Sequence, residues 1–143
     1  QFALELLEQL AVPVIVGNLP DVRGAVGKML SVNQVPTKET LQKLNERICL
    51  WGKSHEHVTV IDACGLWSKA IRGEEIVLFD FTWPEGSQRT LLQGDMLHTT
   101  LEGTVAASLL VAKATKTDCM ETDPKVIMKK AAAAARTDAQ STK

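Results

Sequence analysis

In the stretch GDMLHTTLEG, Gly94 to Gly103, an aspartate stands three residues before a histidine, just ahead of an apolar helical pattern. Near neutral pH a histidine can take a proton from a weak nucleophile, provided a partner fixes its tautomer and stabilises the imidazolium. A carboxylate three residues earlier can fold back onto the ring within a single turn. Asp95 would then orient His98 and leave the far ring nitrogen for a serine hydroxyl brought from elsewhere. The plainer alternative is that Asp95 only caps a turn.

His55 and His57 form a second cluster, in KSHEHV. A His-x-His pair can bind zinc, but only Glu56 is adjacent and no third ligand of suitable spacing is near. A solvated loop is the expectation, and no metal or cofactor is implied. Asp62 and Asp80 fall at expected strand ends, where acids contact ligands or, more commonly, cap the next helix. Asp21 reads as a turn residue. Trp51 and Trp67 are expected in the core and Trp83 along the loop near His98.

The elements that must hold these groups alternate. Phe2, Leu6 and Leu10 recur every four residues and predict an amphipathic helix. Val12 to Val16 is a short, largely β-branched run ended by Gly17-Asn18 and Pro20, the pattern of a buried strand. Residues 21–36 read as a long loop with one helical turn. A helix follows, with Leu41, Leu44, Ile48 and Trp51 on one face, Thr37 as its cap and Gly52 as its stop. Val58 to Ile61 predicts a second strand. The order helix, strand, helix, strand is that of an open α/β parallel sheet with flanking helices. The segment IVLFDFTW predicts a third strand or a hairpin arm. Leu101, Val105, Leu109 and Ala112 mark a last core helix. Beyond residue 117, Asp123-Pro124 would start a peripheral helix, and residues 137–143 are expected to form a disordered tail. Residues 1–117 are thus one domain and 118–143 an appendage.

Composition narrows the classes of function. The 143 residues carry 16 basic and 17 acidic side chains, three tryptophans and no tyrosine. A net charge of −1 and few aromatic rings argue against a nucleic-acid surface. No run of 18 apolar residues suggests a membrane span. Cys49, Cys64 and Cys119 fit neither a zinc site nor a redox pair, and an odd, sparse count suggests reduced thiols and a cytoplasmic setting. The chain opens on Gln1-Phe2, inside a helical pattern, so residues upstream are expected.

The segment LLQGDMLHTTLEGTVAASLLVA resembles the last block of the SGNH (GDSL-type) ester hydrolases. There an Asp-x-x-His loop leads into the final helix, with a glycine near its start; Asp95, His98 and Gly103 match. Thr99 stands where that family usually has proline, which loosens the turn but removes no catalytic group. PVIVGNLPDV resembles a strand and loop from the middle of these enzymes, with Gly17-Asn18 as a strand end and not the oxyanion-hole asparagine. The resemblance covers roughly residues 1–113, two segments in the right order. It implies a partial flavodoxin-like fold, a small-molecule carboxylic ester as substrate and Ser-His-Asp acyl transfer. His98 would be the general base and then the general acid, with Asp95 as its orienting carboxylate.

The nucleophile that this resemblance implies is missing. Neither Gly-Asp-Ser nor Gly-x-Ser-x-Gly occurs. The serines are Ser31, Ser54, Ser68, Ser87, Ser108 and Ser141. Ser87 follows Gly86, but in a loop with no strand before it, and Ser108 is expected to pack within the last helix. The chain therefore reads as the C-terminal half of such a hydrolase, inactive by itself. The alternative is a non-catalytic α/β binding or assembly domain in which Asp95 and His98 are structural. Under either reading, exposed sheet edges would favour homo-oligomers.

Overall fold

The computed structural model describes residues 2–115 and 121–141. Its chain alternates as the sequence patterns suggest: α1 (Phe2–Glu8), β1 (Val14–Gly17), α2 (Lys38–Lys53), β2 (Val58–Ile61) and α3 (Ala63–Arg72). β1 and β2 pair in parallel, Val14 against Val58 through Gly17 against Ile61. The connection between them runs through two 3-10 turns, Arg23–Ala25 and Val32–Gln34, and then α2. α/β character and a parallel strand pair are thus established.

The remaining elements are β3 (Ile76–Leu78), β4 (Phe81–Trp83), the single turn α4 (Gln88–Leu91), α5 (Leu101–Thr115) and α6 (Pro124–Ser141). IVLFDFTW is a hairpin, with Leu78 opposite Phe81 and Phe79-Asp80 as its two-residue loop. Asp80 therefore sits at a hairpin tip and not at the end of a parallel strand. α6 takes in residues 137–141 of the expected tail. Residues 142 and 143, with Cys119, lie outside those described.

Two apolar clusters hold the elements. The smaller packs Val14, Val58 and Trp51 with Leu4, Leu7, Val16 and Val60. Side chains alternate across a strand, so the even-numbered valines of β1 and β2 face α1 and α2. The stripe expected on α1 is corrected here. Leu6 and Leu10 are 49% and 45% exposed, and Leu4 and Leu7 are the inward pair. Leu44 of α2 is likewise 41% exposed. Thr37 does cap α2, its hydroxyl accepting from the Thr40 N–H at 3.2 Å. Gly52 does not stop α2, which runs on to Lys53. It is where α2 touches the sheet: a Cβ there would run into Val60 Cγ2.

The larger cluster joins Ala70, Ile76, Leu78, Trp83, Leu91, Leu92, Val105, Ala106 and Leu109. α5 is its axis and packs against α3, α4, α6, β2 and β3. Trp83 is 1% exposed at its centre and donates its indole N–H to Glu102 Oε1 at 2.9 Å. The expectation that Trp83 lines the loop near His98 gives way to this buried position, which links the β3–β4 hairpin to α5.

Candidate functional site

The Asp95–His98 turn is built between α4 and α5. Leu92 and Thr99 form an antiparallel bridge, and the Gln93 N–H donates to the His98 carbonyl at 2.9 Å, closing the loop. The Gln93 side chain reinforces the closure, donating from Nε2 to the Thr99 carbonyl at 2.9 Å. Within the loop the Met96 N–H donates to the Gln93 carbonyl at 3.1 Å, and Met96 adopts φ 60°. A left-handed conformation at a residue other than glycine costs of order 1–3 kcal/mol and persists only where the surroundings impose it. Here the Met96 side chain packs against the larger core and so anchors the turn from below.

Asp95 uses both carboxylate oxygens. Oδ1 accepts from the backbone N–H of Leu97 at 2.9 Å and of His98 at 3.0 Å. Oδ2 meets His98 Nδ1 at 2.8 Å. The His98 N–H, then the Leu97 N–H and then the His98 ring pull the Asp95 pKa from 3.8 down to about 2. The carboxylate is therefore ionised near neutral pH, and Nδ1 carries the proton that bridges to it. In the neutral imidazole this leaves the lone pair on Nε2, on a side chain 56% exposed, against 21% for Asp95. An imidazole fixed in that tautomer can accept a proton and hold it as imidazolium beside the carboxylate. Asp95 thus caps the turn through Oδ1 while Oδ2 holds the His98 ring.

Two supports of this turn come from outside it: Lys28, which the sequence did not mark, and Gly103, which it marked only through the family resemblance. Lys28 Nζ donates to the Gly94 carbonyl at 3.0 Å across 66 residues, and nothing local marks it. Gly103 lies so close to α4 that a Cβ would run into the Leu91 carbonyl. That same carbonyl accepts the Thr100 N–H at 3.0 Å, where α5 begins. The Thr100 hydroxyl accepts the Gly103 N–H at 3.1 Å and caps the helix.

Among the described residues, no serine hydroxyl bonds His98. Ser87 is buried and donates to the Pro84 carbonyl at 2.6 Å; Ser54 donates to the Trp51 carbonyl at 2.8 Å. Ser108 is exposed, not packed, and donates to the Thr104 carbonyl at 2.9 Å. Asn18 and Asp62 meet at the carboxyl ends of β1 and β2. Asp62 Oδ1 accepts from Asn18 Nδ2 and from the Gly65 N–H, both at 2.9 Å, and so caps α3. Asn18 Oδ1 accepts the Cys64 N–H at 2.6 Å. Asp21 pairs with Arg23 within its turn.

His55 and His57 are half-buried where a solvated loop was expected. His55 Nδ1 lies 2.8 Å from the Trp51 carbonyl, and its Nε2 lies 3.5 Å from Glu8 Oε1. Glu8 Oε1 also accepts the Trp51 indole N–H at 2.7 Å, so the group ties α1 to α2. Among the described residues no three His, Cys, Asp or Glu side chains are placed to hold a metal ion, and no helix is long and apolar enough to cross a membrane. The chain finds no match among family models, curated proteins or solved structures.

Proposed function

We propose that this chain carries the acid–base part of a carboxylic ester hydrolase of the SGNH type. In that reading β1 and β2 belong to a flavodoxin-like sheet. The observation that carries it is the 2.8 Å contact from His98 Nδ1 to an Asp95 carboxylate already fixed by two backbone N–H groups. His98 Nε2 takes the proton of a serine hydroxyl as that oxygen attacks the ester carbonyl. The imidazolium, stabilised by Asp95, returns the proton to the departing alkoxide, and water repeats the cycle on the acyl-serine. The serine comes from residues outside this sequence, so these 143 residues alone hydrolyse esters little or not at all.

The test is labelling of the folded chain with a fluorophosphonate, followed by intact mass and peptide mapping, with His98→Ala as control. No adduct is expected. An adduct on one serine, lost in the variant, would place the nucleophile within this chain and overturn the division of labour. A Gly-Asp-Ser block in the adjoining coding sequence is the second expected result. A binding or assembly domain without catalysis is the competing reading, favoured by the absence of any hydroxyl on His98 Nε2 among the described residues. It expects Asp95→Asn to change stability alone, whichever nucleophile-bearing segment is supplied.

A further inference from the structure

A groove of about 190 Å³ opens between α3 and α5. Its walls include Leu66 and Trp67 from α3 and Leu110 and Val111 from α5, with Pro20 and Ile61 also in the lining. Thr99 and the Trp67 indole supply the only polar side-chain atoms of the lining. Small residues make up much of the lining: Ala63 and Ala70 from α3, and Gly103, Ala106 and Ala107 from α5. Larger side chains at those positions would let the helices interlock and fill the space.

Its position matters as much as its lining. Pro20 follows β1, Ile61 ends β2, and Thr99 follows His98. The groove thus reaches the carboxyl ends of the parallel strands, where open α/β sheets bind ligands, and it borders the Asp95–His98 turn. Whole small-molecule sites run to roughly 300–1,000 Å³, whereas an apolar cavity of about 150 Å³ holds a benzene. A groove of this size takes one arm of a ligand and leaves the rest outside. With no charge in the lining and only the Thr99 hydroxyl and the unpaired Trp67 indole N–H as polar side-chain groups, the groove favours a hydrocarbon arm.

We infer that the groove binds an aliphatic or aromatic hydrocarbon group of roughly six to eight carbons. Resting on the ester-hydrolase reading, that group is the acyl or alcohol arm of the substrate, its carbonyl lying toward His98. The groove itself requires no chemistry, so it is tested separately from catalysis.

Methyl-labelled protein is titrated with unreactive 2-alkanones of increasing length and followed by NMR. The Leu66, Leu110 and Val111 methyls shift, and Kd falls about fourfold per added methylene until the groove is full, then levels off. Ala107→Phe, at an exposed lining position, abolishes the shifts while the rest of the spectrum stays native. The ketones need no nucleophile, so binding with no fluorophosphonate chemistry in any assembly would sink the catalytic reading and leave this one standing. Shifts without chain-length dependence, or no shifts, would overturn the inference. So would groove methyls that move on dilution of the free protein, which would show a second copy seated there.

Discussion

Replacing Gly103 by alanine sets two effects of opposite sign against each other. In a helix interior, glycine to alanine stabilises by about 1 kcal/mol, because alanine loses less backbone entropy on folding. At position 103 the added Cβ would run into the Leu91 carbonyl oxygen and would lie 2.9 Å from its carbon and 3.2 Å from its Cα. These are backbone atoms of α4 and cannot rotate away. Overpacking a well-filled site costs about 1–3 kcal/mol, and a rigid partner puts this case at the upper end. The net expectation is a loss of about 2 kcal/mol, or a Tm lower by roughly 4–8 °C for a chain of this size. The damage also has a place. The Leu91 carbonyl accepts the Thr100 N–H, so pushing α5 away from α4 loosens the base of the loop that carries Asp95 and His98. Thermal unfolding followed by circular dichroism gives the first reading, and amide exchange at Thr100 gives the second. A variant as stable as the parent, or more so, would mean that propensity wins and that α5 does not approach α4 this closely.

Gly52→Ala meets Val60 Cγ2 instead, a side-chain methyl that can turn, so its loss of Tm should be smaller than that of Gly103→Ala; an equal or larger loss would show a rigid contact. Asp62→Ala removes the α3 cap and a partner of Asn18 together and should cost about 1–2 kcal/mol in urea unfolding, while a loss under a few tenths would refute the shared role. The Asp95 carboxylate should titrate near 2 by carbon NMR, not near the ordinary 3.8. A carboxylate held down in the fold adds stability that is complete above its unfolded pKa and fades as pH falls through the folded one, here between about 4 and 2. Asp95→Asn should therefore remove the acid-side loss of order in the 93–98 loop, and a midpoint near 4 would mean that the Leu97 and His98 N–H bonds are not made.

What could be read from the sequence follows the range of each interaction. The Asp95–His98 contact spans three residues, and the Thr37 cap likewise spans three; spacing and residue type suffice for both. The alternation of helix and strand was legible for the same reason, since Val58 to Ile61 and the helical spacing of α2 are local patterns, although Leu44 of that stripe is exposed. The inward face of α1 was not. FALELLEQL offers two leucine stripes, and which one turns inward is decided by Trp51 and by valines from two strands. Gly52 shows the same limit from the other side. A glycine near the end of a helical pattern reads as a stop on local grounds, yet this one is required by a strand eight residues further on.

The site divides along the same line, with a consequence for how it works. The Asp95–His98 contact is local, but its rigidity is not. Lys28 reaches Gly94 across 66 residues, the Met96 side chain packs against a core drawn from α3, β3, β4, α4 and α5, and Gly103 gives α5 its contact with Leu91. Without these, the Asp95–His98 pair would be an exposed hydrogen-bonded pair at a helix entrance, worth little and free to turn away. A left-handed Met96 is the cost of that arrangement. A turn that only had to cap a helix could place glycine or asparagine there and avoid the strain. Methionine instead trades backbone comfort for an apolar side chain that packs against the larger core. Phe79 takes φ 53° in the plain β3–β4 hairpin turn as well, so the strain at Met96 marks a turn imposed by its surroundings, and the case for proton transfer rests on the Asp95–His98 contact itself.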